Sequence, residues 1–272
     1  MTNNKLHTKD DILRQLAALG APRDSIVLMH ASLRLIGPVE GGFQALLDTL
    51  VEYFTAKGGL LCIPTHTWHN LGKEITLDMT SPDNCLGSLS TLALEDGRGL
   101  RSESPTHSMV VFGDREKALD FIKDEPFVKT PTAPDSCYGK LYYRGGYVLL
   151  AGVDHSKNTY LHAVAEILNI PNRMATTPEV VCVRRASGEL VKGSVALYYA
   201  DFSEDVSWRF PKYDTAFRYH GCTKDGMIGN APTMLCDAVK MKETIELIFQ
   251  NSSGEDPLRL ESPIPPKWYC RK

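Results

Sequence analysis

Hydrophobic and polar positions along the chain follow two periods. Ile12, Leu13, Leu16, Ala17 and Leu19 recur at helical spacing, with Thr8 placed to cap that helix and Gly20 and Pro22 placed to stop it. Residues 25–30 form a mainly apolar run of strand length, and a turn-rich stretch over 31–42 leads into an amphipathic helix over 43–54. Lys57, Gly58 and Gly59 end that helix, and residues 60–64 predict a second short strand. A strand, a helix and a strand in so short a span make a βαβ unit, whose crossover requires parallel pairing.

The pattern then loosens. Residues 65–84 show no period and predict a long loop, followed by a helix over 86–95, a strand over 109–112 and a short helix over 117–122. A second irregular stretch, 123–140, contains Pro126, Pro131 and Pro134. Long loops inside a compact domain usually carry function. Residues 147–153 are apolar throughout, which predicts a central strand covered on both faces, with a helix over 159–169 behind it. In the last third, 179–184 and 190–195 flank Ser187-Gly188 as a hairpin would, and 231–249 reads as a long helix. The expected fold is therefore α/β: a mostly parallel central sheet flanked by helices, with an antiparallel hairpin excursion in the C-terminal third. No linker divides it, so a single domain over 1–272 is expected.

Composition narrows the class. Of 272 residues, 43% are hydrophobic and 23% charged, which excludes a disordered or fibrous chain. The net charge of -3 is spread along the sequence, without the basic face that nucleic acid requires. Seven cysteines, Cys62, Cys85, Cys137, Cys182, Cys222, Cys236 and Cys270, are scattered and form no CxxC pair. That argues against a zinc ribbon or a disulfide framework and for a reducing, cytoplasmic setting. No apolar run approaches the ~20 residues of a membrane span.

Three segments carry candidate chemistry. In Gly152-Val-Asp154-His-Ser-Lys-Asn158-Thr159-Tyr-Leu-His162-Ala-Val-Ala-Glu166, a predicted central strand runs into a polar loop and a helix bearing His162 and Glu166 on one face. Ligands of open α/β sheets bind beyond the carboxyl ends of strands, and His serves as a base near neutral pH. A capping His beside a solvated Glu would give the same spacing. His30-Ala-Ser32-Leu33, ahead of Gly37, Gly41 and Gly42, stands where backbone N–H groups suit a phosphate, although an ordinary βα loop has the same make-up. Arg101-Ser102-Glu-Ser-Pro-Thr-His107-Ser108 offers a guanidinium that matches phosphate and a further imidazole; a surface loop with one cation is the alternative. His66 and His69 lack a third ligand at helical spacing, so no metal is expected.

Taken in order, these segments resemble the aminoglycoside 3-N-acetyltransferase family, also called antibiotic N-acetyltransferases. His30-Ala-Ser-Leu33 with Gly37, Gly41 and Gly42 looks like the family's opening block, and Gly58-Gly59-Leu-Leu-Cys-Ile-Pro64-Thr65 like its second strand. Leu86-Gly87-Ser-Leu89 and Arg101-Ser102-Glu-Ser-Pro105-Thr-His-Ser108 resemble its middle blocks. Asn158-Thr159-Tyr-Leu-His162 resembles its N-T-x-x-H segment, closed by Ile170-Pro171-Asn-Arg173, and Ile228-Gly229-Asn-Ala231 a block near its C-terminus. Two places depart from the pattern: Ala165 stands where the family has Glu, with Glu166 next to it, and Ser104 precedes Pro105 where the family has His.

The resemblance implies a fold distinct from GNAT acetyltransferases and transfer of acetyl from acetyl-coenzyme A to the 3-amino group of an aminoglycoside, without metal. It implies His162 as general base, Glu166 or another nearby carboxylate as the group orienting it, and Thr159 or a backbone N–H beside it as a donor to the developing oxyanion. Ser32, Leu33, Arg101, Ser102, His107 and Ser108 are the expected cofactor contacts. At least two of Asp83, Asp154, Asp214 and Glu166 are expected to line the pocket of a polycationic substrate, an ordinary solvated carboxylate being the alternative for each. Another small amine as substrate, or a catalytically weak coenzyme A-binding homologue, is the alternative. The expected partners are small molecules, not nucleic acid or membrane, in a monomer or homodimer.

Overall fold

The computed structural model describes residues 5–123, 125, 129–198 and 205–270. Helix α1 (Lys9–Leu19) opens on a reciprocal cap: Thr8 Oγ1 accepts from the Asp11 amide at 3.1 Å, and the Asp11 carboxylate accepts from the Thr8 amide at 3.2 Å. Strand β1 (Ile26–Ala31), helices α2 (Leu33–Ile36) and α3 (Gly42–Thr55) and strand β2 (Leu60–Pro64) follow. Next come β3 (Leu77–Asp78), α4 (Ser88–Asp96), β4 (Leu100–Arg101), β5 (Met109–Phe112) and α5 (Arg115–Ile122). Helix α6 (Cys137–Tyr143), strand β6 (Tyr147–Ala151) and helix α7 (Tyr160–Ile167) lead to the hairpin β7 (Glu179–Arg184) and β8 (Leu190–Val195). The chain closes with α8 (Asp214–Tyr219), β9 (Thr223–Ile228), β10 (Ala231–Asp237) and α9 (Ala238–Asn251).

Among the described residues, seven strands form one sheet in the order β4-β5-β2-β1-β6-β10-β9. Its centre, β2-β1-β6, is parallel, as the βαβ pattern requires, and β5 and β10 join it antiparallel on either side. The centre is buried on both faces. Leu28, Cys62, Val148 and Leu150 pack in one apolar layer with Tyr138, Tyr160 and Met241. Val27, Met29, Leu61 and Leu149, the alternate positions, pack in the other with Ile12, Leu16, Leu46 and Leu50.

Three expectations change. The hairpin forms, but it pairs with β3 to make a separate three-stranded sheet instead of extending the main one. The helix read over 231–249 is two elements: β10, which fills the slot between β6 and β9, and then α9. Helical spacing of Met234, Ala238, Met241 and Ile245 runs straight across that junction and hides the alternating burial of Ala231, Thr233 and Leu235. Within the stretch read as irregular over 123–140, α6 begins at Cys137, with the Ser136 hydroxyl accepting from the Gly139 amide at 3.1 Å. All seven cysteines are free thiols. No helix of the described residues is long and apolar enough to cross a membrane.

Candidate active site

The three parallel strands end on one edge of the sheet at Pro64, Ala31 and Ala151. A cavity of about 600 Å³ opens there, the place where open α/β sheets hold ligands. Its size is that of a small-molecule site. Met29, His30 and Ala31 come from β1, Pro64 and His66 from the end of β2, and Val153 and 156–159 from the loop after β6. His107, His162, Leu197 and Tyr198 also line it, as do Cys85 and Leu86, and the exposed Trp68 and Asp205 lie toward solvent. Gly152 turns the chain out of β6 toward the cavity: its φ is 69°, and a Cβ there would stand 2.9 Å from that of Leu35.

Four imidazoles line this cavity. His162 sits in the first turn of α7 and is 8% exposed. Its ring stacks on Tyr198, centroids 3.8 Å apart and planes at 12°, and meets the Phe210 ring edge-on at 4.9 Å. Burial lowers its pKa to about 4; the nearby Asp205 carboxylate opposes that shift and Arg173 adds to it. His107 is lowered to about 3 by burial, with one ring nitrogen 2.9 Å from Thr106 Oγ1. His66 Nε2 lies 2.7 Å from the Tyr138 hydroxyl, its ring 4.3 Å from that of His107, and burial again holds it well below the usual range. His30 is lowered to about 4, and its buried Nε2 has no hydrogen-bond partner. Burial thus favours the uncharged form of all four rings near neutral pH. Among the described residues no three His, Cys, Asp or Glu side chains are grouped to hold a metal ion.

Of the residues expected from sequence, His162, Thr159 and His107 line the cavity. Thr159 precedes α7, and its hydroxyl makes no capping bond there. Glu166 shares the helix face as predicted, yet its carboxylate does not reach the His162 ring: it accepts from the hydroxyls of Thr130 and Thr132. Burial pushes its pKa up, and those two hydroxyls oppose the shift.

Ser32, Leu33, Arg101, Ser102 and Ser108, expected as cofactor contacts, are not among the residues lining this cavity. The Ser32 amide donates to the Ala151 carbonyl at 2.9 Å, because β1 and β6 still pair there, and Leu33 is a core side chain. Arg101 is half-buried, and its guanidinium donates to the carbonyls of Ser81 at 2.8 Å, Asp83 at 3.1 Å and Asp78 at 3.2 Å, and to Ser108 Oγ at 3.2 Å. Ser108 Oγ in turn donates to the Thr65 carbonyl at 2.8 Å, and Ser102 Oγ accepts from the Met109 amide at 3.1 Å. These polar groups tie the 65–84 loop to the sheet and do not line the cavity.

Asp83, Asp154 and Asp214, expected around the substrate, are likewise not among the residues lining this cavity. Asp83 bonds His69 at 3.2 Å and Asn70 at 2.6 Å, Asp154 accepts from the Ser156 amide at 2.9 Å, and Asp214 pairs with Arg218 at 2.7 Å. Among the described residues, the one carboxylate on the cavity wall is Asp205, which the sequence reading missed. It also accepts from the Ser207 amide at 2.9 Å, a common turn arrangement with no catalytic spacing to reveal it. Tyr198 was missed for the same reason, since only the fold brings it over His162.

An α/β sheet with a small-molecule cavity at its parallel carboxyl edge, lined by four imidazoles, defines a site suited to acid–base chemistry on a small substrate. The chain belongs to the aminoglycoside 3-N-acetyltransferase family, whose model matches residues 28–250. It is accordingly an aminoglycoside 3-N-acetyltransferase by family, with that family's fold and not the GNAT fold. Aminoglycoside N(3)-acetyltransferase IV of Salmonella sp is 26% identical over 253 residues, covering 92% of this chain and 88% of its own. The crystal structure of apo aminoglycoside acetyltransferase AAC(3)-IVa superposes with a TM-score of 0.77 at 25% identity, over 97% of this chain and 95% of the other. The structure of AAC-IIIb with CoASH superposes with a TM-score of 0.74 at 22% identity, over 88% and 94%.

Proposed function

We propose that the protein transfers acetyl from acetyl-coenzyme A to the 3-amino group of an aminoglycoside, with His162 as general base. The observation that carries this reading is His162 itself: a buried, uncharged imidazole on the wall of the cavity at the parallel carboxyl edge, with Asp205 near it. An ammonium cannot attack a thioester. The amine reacts in its uncharged form: as its nitrogen bonds to the acyl carbon, one N–H proton passes to His162, the carbon–sulfur bond breaks to expel a thiolate, and the imidazolium returns the proton to it, giving the thiol. The imidazolium so formed is costly in a buried site, and the Asp205 carboxylate offsets that cost. Thr159, with a hydroxyl not used in capping, is placed to donate to the acyl oxygen as negative charge develops on it.

The family supports the acceptor, and the neighbour holding CoASH supports the donor, which supplies an acetyl group activated as a thioester. The cavity fits the reacting end of such a donor: its wall mixes apolar side chains with the unpartnered His30 Nε2 and the hydroxyls of Ser156 and Thr159. The test follows free thiol release with acetyl-coenzyme A and an aminoglycoside panel. His162→Ala should lower kcat by roughly 10²–10⁴, with the KM for acetyl-coenzyme A little changed. Near-parent turnover by that variant at neutral pH removes His162 from the mechanism.

A further inference from the structure

We propose that Glu166 is a positioning residue that acts on His162 at a distance, by holding the Tyr198 ring against it through Thr132. This deepens the reading of His162 as the base and rests on it. Glu166 lies one turn beyond His162 on α7, but both its carboxylate oxygens are taken by hydroxyl donors, Thr130 and Thr132. A threonine hydroxyl has one proton. Thr132 gives its proton to Glu166, so its oxygen is left to receive the Tyr198 phenol, 3.1 Å away. The relay is thereby ordered in one direction, from Tyr198 to Thr132 to Glu166.

What the relay holds is a ring. Tyr198 stacks on the His162 imidazole at 3.8 Å and stands edge-on to His107 at 5.4 Å. Phe210 closes on His162 from another direction. Among the described residues no side-chain hydrogen bond fixes the imidazole, so ring packing sets its plane. The backbone beside Tyr198 is held by an isolated bridge to Met174, by the Ala175 amide donating to the Leu197 carbonyl at 2.7 Å and by the Ala196 amide donating to the Lys129 carbonyl at 2.9 Å. The phenol bond to Thr132 adds a side-chain anchor that fixes the far end of the stacking ring. A general base must present one nitrogen in a fixed direction, and a ring left to swing does so only part of the time.

Thr132→Val and Tyr198→Phe break the same link, the second while keeping the stacking ring. Each should lower kcat about tenfold, the worth of one hydrogen bond, with an unchanged KM for acetyl-coenzyme A. The double variant should be no worse than either single one, because effects on one link do not add. Thr132→Ser, which keeps the hydroxyl, should restore parent kcat. Independently of turnover, ¹⁵N NMR of the His162 ring at pH 7 should show the same displaced signals in Thr132→Val and Tyr198→Phe, and parent signals in Thr132→Ser. Unchanged ring signals in Tyr198→Phe, or kcat losses that multiply in the double variant, overturn the relay. His162→Ala judges the base separately: full turnover there removes the base assignment, while the NMR outcome still decides whether Tyr198 holds the ring.

Discussion

At the scale of single residues, the site is a set of titratable groups kept uncharged by burial. The ordinary histidine value is 6.5, whereas His30 and His162 are lowered to about 4 and His107 to about 3. As pH falls, the unfolded chain takes up protons before the folded one does. The contribution of these rings to stability is therefore whole above pH 6.5 and is lost as pH drops toward 4. Thermal unfolding followed between pH 8 and pH 4 should show a level Tm down to about pH 7 and a steady decline below it. A Tm that stays level to the acid end would mean that these imidazoles protonate freely in the folded protein. Residue types alone pointed to His162, because its segment has a recognisable spacing and follows an apolar strand. They could not point to Asp205 or Tyr198, whose neighbours in sequence carry no such spacing.

At the scale of elements, the junction at Asp237 divides what reads as one apolar helix into a strand and a helix. The Asp237 carboxylate accepts from the Lys240 amide at 3.1 Å and starts α9, while residues 231–237 pair with both β6 and β9. Asp237→Ala should cost about 0.5–2 kcal/mol of unfolding free energy, the usual worth of an N-cap. Urea denaturation measures it, and an unchanged midpoint would show that sheet pairing alone fixes the start of α9. The same tension between local period and tertiary demand explains the hairpin. Alternation and the Ser187-Gly188 turn specify β7 and β8 as a pair, but not which sheet receives them. That was decided by the short strand β3, whose two residues leave no readable pattern.

At the scale of the whole molecule, a parallel centre covered on both faces makes two apolar layers back to back. Leu149 is fully buried in one and Leu190 of the separate hairpin is 46% exposed. Leu149→Ala should destabilise by about 2–5 kcal/mol, and Leu190→Ala should change stability by no more than about 0.5 kcal/mol. Equal effects in urea titrations would contradict this layering. The sequence by itself determined the βαβ start, the buried central strand, the helix that presents His162, and hence the edge where chemistry is expected. These are local properties, set by periodicity, caps and glycines within a few residues of one another. Only the tertiary structure decided which polar groups remain for a ligand. Arg101, Ser102 and Ser108 look like phosphate ligands in one dimension, yet in the fold Arg101 and Ser108 donate to backbone carbonyls and Ser102 accepts from the Met109 amide, since buried polar groups must find partners. Glu166 and Tyr198, 32 positions apart, meet through Thr132 for the same reason, a contact that no spacing along the chain encodes.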